Sequence, residues 1–338
     1  SIDLINLVSD QLLEEWSKNC PDIVIADFIT LSGGLVANQL GIPWITTMAT
    51  QFVLETTDGP PCFIGGMGRP KNFWQATIQF LGRKATRIVK RIVSFSFRNR
   101  LKRYKFKLYN QLGHETIYSP YSILAIGMKE LELKKGFPDH FLWVGPSGAS
   151  VEAGEDYPLD LTPFKERKKV LVTCGTQLAW AKENLIYQAK QLAKAHPDCH
   201  FFVTRGVGGE AFQCENLMEN LSVVSYLPYK EYIPQMDYVI HHGGAGIFYQ
   251  CIIYGKPALI LPHDYDQFDY AVRGVEAGIA FTAKRDNSEA IGQAFEKLLA
   301  KENWPELETL RQAAQSYHPT EILENEIHRL LANKEKEN

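Results

Sequence analysis

Apolar runs and helical repeats alternate through the second half of the chain. Five short apolar runs have the character of buried strands: 169–174, 200–204, 221–226, 238–241 and 257–262. Between and after them, apolar residues recur at helical spacing in 184–195, around Lys230, and in 247–254, 268–277, 288–301, 309–316 and 320–331. Strands that alternate with helices predict a parallel sheet with helices on both faces, which is the doubly wound α/β architecture.

The first half carries a shorter version of the same alternation. Its pattern predicts helices over 4–16 and 32–40 and strands over 22–26, 42–46, 123–126 and 142–144. A polar, turn-rich stretch then separates the two halves. We therefore expect an N-terminal domain over 1–150, a linker over 151–168, a C-terminal domain over 169–316, and a final helix and tail over 317–338.

Composition supports two globular domains and excludes several classes of protein. The chain has 338 residues, of which 45% are hydrophobic and 22% charged, so it can bury a sizeable core. A formal net charge of −3 excludes a globally basic nucleic-acid binder, and no nucleic-acid partner is expected. The six cysteines show neither CxxC nor Cys/His ligand spacing, which favours free thiols in a reducing cytoplasm and no metal site. No apolar run approaches the ~18 residues of a membrane span.

The charge is unevenly distributed along the chain. No acidic residue occurs between Asp58 and Glu115, whereas thirteen Lys and Arg residues fall from Arg69 to Lys107, so the rest of the chain carries −16 by difference. One interpretation is a pair of solvated helices that line a cleft. The other is a helix in an anionic membrane interface, since apolar residues recur at helical spacing among the cations and aromatic residues flank them. The apolar residues are Ile78, Leu81, Ala85, Ile88, Val89, Ile92 and Val93, and the aromatic ones Phe73, Trp74, Phe95 and Phe97.

A glycine cluster follows the predicted strand 238–241. His241 is the last residue of this strand and His242 follows it. Three glycines within the next four residues lead into a helical segment. A strand that breaks into a glycine turn and opens a helix leaves backbone N–H groups free at the helix N-terminus, which suits a phosphate or diphosphate. Glycine serves there because a Cβ would hold the anion away from the backbone. Many α/β proteins make such a turn without a ligand, so the cluster alone leaves a structural interpretation open.

The whole segment from Tyr238 to Ala271 is more specific. It contains His242-Gly243-Gly244-Ala245-Gly246, then Gly255-Lys256-Pro257, Pro262, Asp266-Gln267 and Ala271. In this order and spacing, it resembles the donor-binding signature of the UDP-glycosyltransferase family, which are nucleotide-sugar-dependent inverting enzymes with the GT-B fold. The resemblance implies two Rossmann-like doubly wound domains that face a cleft. It also implies that the usual first strands are missing here, so that the N-terminal, acceptor-binding domain is incomplete.

The resemblance implies transfer of a hexose from a UDP-sugar (or dTDP-sugar) to a hydroxyl of an apolar small-molecule or lipid acceptor. No cofactor is expected beyond this co-substrate. The negative charge that builds on the leaving diphosphate has to be stabilised. That task is assigned to His242, to the backbone of 243–246 and to the loop Gly175-Thr176-Gln177. Partial protonation of His242 beside a diphosphate would strengthen its hydrogen bond, while His241 is expected to be a packing residue.

Five further residues match places where the family holds the rest of the donor. Tyr226 would stack on the nucleobase and Leu227 would pair with it through its backbone. Gln250 occupies the place of a Glu that accepts from both ribose hydroxyls, and an amide makes only one strong acceptor contact there. Asp266 and Gln267 would hydrogen-bond the hydroxyls of the transferred sugar.

Proton removal from the acceptor depends in this family on a His oriented by an Asp. Asp27, at the end of the predicted strand 22–26, matches that Asp, and its structural alternative is an N-cap for the helix 32–40. The His belongs to the section expected to be missing, and none of the nine His residues lies in a matching context. We therefore expect a fragment of a larger enzyme, cytoplasmic and with peripheral membrane attachment as a further possibility. The alternatives are a non-catalytic nucleotide-sugar-binding subunit and a sugar-nucleotide epimerase of the same fold.

Overall fold

The computed structural model describes residues 2–146, 159–175, 178–206 and 212–337. The chain divides into two compact units: unit 1 comprises 1–146 and 317–338, and unit 2 comprises 147–316. Residues 151–158 of the predicted linker over 151–168 lie outside the described residues.

The helices and strands are as follows. The helices are α1 (Ile2–Lys18), α2 (Leu31–Leu40), α3 (Phe73–Leu101), α4 (Lys182–Ala195), α5 (Tyr229–Tyr232), α6 (Ala245–Ile253), α7 (Gln267–Glu276), α8 (Ser288–Ala300), α9 (Pro305–Gln315) and α10 (Pro319–Glu337). The strands are β1 (Val24–Asp27), β2 (Trp44–Met48), β3 (Ser122–Ala125), β4 (Phe141–Trp143), β5 (Lys168–Thr173), β6 (Cys199–Thr204), β7 (Cys214–Met218), β8 (Leu221–Val224), β9 (Tyr238–His241), β10 (Ala258–Ile260) and β11 (Ala280–Thr282).

Unit 1 is built on a parallel sheet of order β1-β2-β3-β4. Successive strand residues point to opposite faces, so neighbouring side chains of β2 pack on different helices. Trp44 packs with Ala37 of α2, and Gly34 of that helix has no Cβ because one would strike the Trp44 ring. Ile45 lies on the other face, in one cluster with Leu330 of α10. The C-terminal helix, whose packing the sequence did not indicate, therefore belongs to unit 1.

Unit 2 is built on a seven-stranded sheet of order β11-β10-β9-β5-β6-β8-β7. Every neighbouring pair is parallel except β7 and β8. Helices α4 and α8 cover one face, through residues such as Leu192 and Phe295. On the other face α6 and α7 approach β10, where Gly274 lies close to Ile260 and Phe248. Helices on both faces of a mainly parallel sheet confirm the predicted α/β doubly wound fold.

Three details differ from the sequence prediction. The strands β7 and β11 were not predicted, because β7 is an exposed, polar edge strand and β11 has only three residues. The basic stretch forms one 29-residue helix, α3, so the prediction of a pair of helices is wrong. Among the described residues, no helix is long and apolar enough to cross a membrane.

Candidate functional site

The carboxyl ends of three neighbouring strands of unit 2 bring the candidate donor residues together. Thr173 at the end of β5 is in register with His241 at the end of β9, and His241 is in register with Ile260 at the end of β10. The loops that leave these strands carry Gly175, the 242–244 turn, and the 261–266 segment. Ligands of open α/β sheets bind at this edge, since the connecting loops and helix N-termini converge there.

The turn after β5 is organised by the hydroxyl of Thr173. Its Oγ1 accepts a hydrogen bond from the Gly175 N–H at 3.0 Å and lies 2.9 Å from the Tyr229 hydroxyl. Burial raises the pKa of Tyr229 to about 12, so this hydroxyl keeps its proton. Gly175 has φ +70°, and a Cβ there would come within 3.1 Å of the His242 ring. Thr176 and Gln177, predicted to bind the donor, lie outside the described residues.

Two glycines of the turn after β9 are required by the packing of the protein itself. Gly243 has φ +91°, and a Cβ there would come within 2.9 Å of the Gln267 carbonyl oxygen. A Cβ on Gly244 would collide with Nε2 of His242. The structural interpretation of the glycine cluster therefore applies to these two positions, where absence of a side chain lets the loops approach each other.

Gly246 has a different environment from its neighbours. It lies exposed in the first turn of α6, and a Cβ built on it meets no heavy atom within 4 Å. The first N–H groups of a helix lack intrahelical partners, and no side chain of the described residues caps α6 at its N-cap position, Gly244. Those N–H groups and the positive end of the helix dipole make this turn suitable for an anion.

His242 lies between the two glycine-bearing loops. Burial, with the nearby His263 as a smaller cause, lowers the pKa of His242 to about 4, while a hydrogen bond to the Thr173 backbone opposes the shift. The ring is therefore neutral at pH 7, and the partial protonation expected from the sequence is not a property of the protein by itself. Its Nδ1 atom is buried without a hydrogen-bond partner among the described residues. A buried polar atom left in this state costs free energy and is typical of functional sites.

His241 does more than pack. It is buried, and its Nδ1 accepts a hydrogen bond from the Gly243 N–H at 3.0 Å. Burial lowers the pKa of His241 to about 3, which keeps Nδ1 available as an acceptor at neutral pH. The two consecutive histidines thus have different roles. His241 fixes the glycine turn through this hydrogen bond, whereas the His242 ring lies against Gly175 and Gly244.

The side chain of Gln267 holds its own loop. Its Oε1 accepts from the His263 N–H at 2.8 Å and from the Asp264 N–H at 3.1 Å. The acceptor that sequence reasoning assigned to a sugar hydroxyl is therefore engaged inside the protein, which leaves the amide nitrogen as the group for a ligand. Asp266 is half-buried at the N-cap position of α7, directly after Tyr265, whose φ is +46°.

Three residues beside this loop were missed by sequence reasoning. The Trp180 ring lies 5.8 Å from the His263 ring, and the Arg285 guanidinium lies 4.8 Å from the Trp180 ring centroid. Arg285 also donates to the His263 carbonyl oxygen at 2.9 Å. Arg285 follows β11, the strand that the sequence pattern did not reveal, so nothing local to these residues signalled that they meet.

The residues predicted to bind the nucleobase and the ribose lie in less exposed positions. Tyr226 is half-buried after β8, and the Tyr229 side chain three residues later reaches the end of β5. Leu227 is fully buried, so its side chain is not available to a nucleobase. Gln250 is buried within α6 at 3% exposure, and a contact between its side chain and a ribose requires a local rearrangement of that helix surface.

Asp27 lies in unit 1, at the carboxyl end of β1, and is exposed. Its Oδ1 accepts from the Ile29 N–H at 3.0 Å, and its backbone oxygen accepts from the Thr30 N–H at 2.8 Å. The carboxylate therefore closes the turn after β1. The N-cap position of α2 is occupied by Thr30, so the alternative role of Asp27 as the N-cap is wrong.

Comparison with known proteins gives three kinds of similarity. A family model described as the C-terminal domain of erythromycin biosynthesis protein CIII-like proteins matches residues 208–328. The NDP-glycosyltransferase YjiC of Bacillus subtilis (strain 168) is 25% identical over 274 residues, which are 80% of this chain and 62% of that protein. The chain thus spans less than two thirds of the length of this curated relative.

Two solved structures share the fold. The glycotransferase of kitacinnamycin superposes with a TM-score of 0.71 at 19% identity, covering 98% of this chain and 83% of its own. The spinosyn rhamnosyltransferase SpnG, complexed with thymidine diphosphate, gives a TM-score of 0.64 at 14% identity, covering 96% of this chain and 79% of its own. The solved structures show that the chain has the GT-B fold, and the family model and the curated relative support the resemblance of its His242 to Gln267 segment to nucleotide-sugar glycosyltransferases.

Proposed function

We propose that unit 2 binds a UDP-sugar or dTDP-sugar and that the chain serves transfer of its hexose, with inversion, to a hydroxyl of an apolar acceptor. The observation that carries this proposal is the open first turn of α6, where Gly246 is exposed and a Cβ built on it meets no heavy atom within 4 Å. An anion seated there meets free N–H groups and the positive end of a helix. The bound thymidine diphosphate named for SpnG supports a nucleoside diphosphate as the ligand.

The remaining donor groups are placed around that diphosphate. Gly175 lies in the loop that leaves β5, and it is assigned to the diphosphate together with Thr176 and Gln177. Tyr226 and Leu227, which follow β8, are assigned to the base. Gln250 is assigned to the ribose, and Asp266 with the amide nitrogen of Gln267 to the sugar hydroxyls. The neutral His242 ring stabilises charge on the leaving diphosphate by hydrogen bonding, which is strongest for an arrangement preorganised before the reaction. The sugar nucleotide is a co-substrate, and the proposal includes no other cofactor.

Calorimetric titration of the whole chain with UDP and with dTDP tests the donor site. Gly246→Ala places a methyl group in the open space over the α6 turn, so we expect at least tenfold weaker binding without loss of fold. Gly292→Ala is the matched control, because that glycine also lies within a helix and has no heavy atom within 4 Å of a built Cβ. His242→Ala should weaken binding by roughly 1–3 kcal/mol, the range for a lost hydrogen bond to a charged partner.

The same titrations can reject the proposal. Unchanged UDP and dTDP affinity in both Gly246→Ala and His242→Ala would remove the diphosphate from the α6 turn. Equal weakening by Gly292→Ala would show that the loss reflects helix stability and not the site.

We propose that Asp27 orients the catalytic base and stabilises its protonated form. Support comes from its exposed position at the carboxyl end of a parallel strand. In an assay of glycosyl transfer, Asp27→Asn should lower kcat markedly while UDP affinity stays the same. Equal turnover of variant and parent would reduce Asp27 to the residue that closes the turn before α2.

A further inference from the structure

Helix α3 faces the protein with its polar side and solvent with its apolar side. Of its 29 residues, only Gln79 and Leu101 are buried. A helix on the surface of a soluble domain normally has the opposite arrangement, with an apolar stripe on the core and polar residues outside. This reversal singles out α3 among the surface features of unit 1.

The inward face is fixed by polar contacts along most of its length. Gln79 Nε2 donates to the Gly68 carbonyl oxygen at 2.6 Å, and Arg87 donates to the Gly113 carbonyl oxygen at 3.0 Å. Lys90 pairs with Glu115 at 2.5 Å and with Glu55 at 3.3 Å. Burial lowers the pKa of Lys90, but the charges of Glu115 and Glu55, the Cys62 thiol and the hydrogen bond to Glu115 together raise it above its ordinary value, so Lys90 stays charged. These contacts hold the helix in one rotation about its axis.

The outward face is a continuous apolar stripe. Its members follow each other at alternating spacings of four and three residues, which places them on one side of a helix. Trp74 is 73% exposed, Ile92 61% and Phe95 63%. No charged residue interrupts the stripe, which consists of Trp74, Ile78, Leu81, Ala85, Ile88, Ile92 and Phe95. Its 22 residues extend over about 33 Å at 1.5 Å per residue.

Cations flank this stripe without acidic residues between them. Lys84 and Arg98 lie against the rings of Phe80 and Phe95, which are themselves exposed, and Arg91 lies 5.5 Å from the ring of Tyr109. The chain has no Asp or Glu from residue 59 to residue 114. An occupant of the stripe therefore meets a row of positive charge beside it.

Charge decides between the two occupants that fit such a stripe. The four-three spacing would also suit a coiled coil with a second copy of α3, but Lys84 and Arg91 would then border a seam that offers them no carboxylate. An anionic lipid surface supplies the missing negative charge and accepts the apolar side chains at the boundary between headgroups and acyl chains. Since α3 is too polar to cross a bilayer, it would lie along the surface.

We propose that α3 is a membrane-interface helix that seats its apolar stripe in an anionic lipid leaflet. Lys84, Arg91 and Arg98 then lie at the level of the phosphates, and Trp74 and Phe95 lie at the two ends of the stripe. The attachment uses unit 1 only and does not depend on the proposed donor site, whose titration with UDP reports on unit 2 separately.

Vesicle sedimentation of the whole chain tests this surface. Vesicles of phosphatidylcholine with about a third phosphatidylglycerol should bind it, and pure phosphatidylcholine vesicles should bind at least tenfold more weakly. Raising the salt from 0.05 M to 0.5 M should weaken binding to the anionic vesicles by at least tenfold, because salt screens the headgroup charge. The double variant Ile88→Glu/Ile92→Glu should lose sedimentation, and Lys84→Gln/Arg91→Gln/Arg98→Gln should lose its preference for anionic lipid.

Matched variants in unit 2 serve as controls. Tyr187→Glu/Val275→Glu changes two exposed apolar residues, and Lys194→Gln/Lys284→Gln/Lys297→Gln removes the same charge, so both should sediment like the parent. Equal binding by the parent and both α3 variants would overturn the proposal. A concentration-dependent dimer that dissociates in Ile88→Glu/Ile92→Glu, with no lipid binding by the parent, would assign the stripe to a second copy instead.

Discussion

Helices α3 and α4 bury opposite kinds of surface. In α4, the buried residues are mostly apolar, such as Leu185, Ala189 and Leu192, and they belong to the core of unit 2. In α3, the residues in contact with the protein are mostly polar, and the apolar ones other than Leu101 are mostly exposed. Both sequences show apolar residues at helical spacing. Periodicity therefore identifies a helix and its two faces, but it does not tell which face the protein covers.

The difference has consequences for stability. Apolar burial contributes about 25 cal/mol per Å² removed from water, so the inner face of α4 stabilises unit 2. The apolar face of α3 stays in water and contributes no such term to unit 1. What holds α3 is mainly a set of hydrogen bonds and ion pairs, each of which contributes only about 0.5–3 kcal/mol net.

The largest expected effect is a difference in the free energy of unfolding between one apolar truncation in α4 and one in α3. Leu192→Ala in α4 removes a side chain that is 4% exposed and should lower the free energy of unfolding by about 2–5 kcal/mol. Ile92→Ala in α3 should change it by at most about 0.5 kcal/mol, because that side chain is 61% exposed. Urea unfolding of the two variants measures both. A cost for Ile92→Ala as large as that for Leu192→Ala would mean that α3 turns its apolar face inward in solution.

A smaller effect comes from acid, and it should fall on unit 2. Burial lowers the pKa of His200 to about 4, of His241 to about 3 and of His242 to about 4. The unfolded chain, with histidine pKa values near 6.5, binds more protons than the folded one in this window. Stability is therefore complete above about pH 6.5 and declines as pH falls toward about 4.

From pH 7 to pH 6, the three histidines together should lower the free energy of unfolding by about 2 kcal/mol. In unit 1, burial raises the pKa of the Glu115 carboxyl, so the folded form of this group binds more protons than the unfolded form, opposite to the three histidines. Unit 1 also contains His140, whose pKa is lowered by burial. Hydrogen exchange read by mass spectrometry at the two pH values separates the units. Faster exchange in unit 1 than in unit 2 at pH 6 would contradict the assignment.

The smallest expected effect is a difference in the free energy of unfolding between the loss of two equivalent helix caps. The side chain of Asn287 accepts from the Ala290 N–H at 3.0 Å at the start of α8, and that of Asn72 accepts from the Gln75 N–H at 2.9 Å at the start of α3. Asn287→Ala should lower the free energy of unfolding by about 1 kcal/mol. Asn72→Ala should change it less, because the first turn of α3 is exposed and can fray locally. Thermal melts of both variants provide the measurement, and equal shifts would show that α3 unfolds together with its unit.

Local sequence signals determined the parts of the fold that depend on neighbours in the chain. The runs 238–241 and 257–262 predicted β9 and β10, and the glycines between them predicted the turn into α6. Periodicity and turn chemistry carry this information because the hydrogen bonds of a helix and the alternation of a strand involve residues close in sequence. The same signals led to the resemblance to the UDP-glycosyltransferase family, since the donor signature of that family is one continuous segment.

Tertiary structure decided what depends on residues far apart in the chain. Only the fold shows that the side-chain oxygen of Gln267 accepts hydrogen bonds from the 263–264 backbone. Only the fold shows that Gly243 and Gly244 are required by packing, and that burial makes His242 neutral. It also placed α10 in unit 1 and turned the polar side of α3 inward. The physical reason is that burial, and with it every pKa and every choice of buried face, is set by contacts between distant segments.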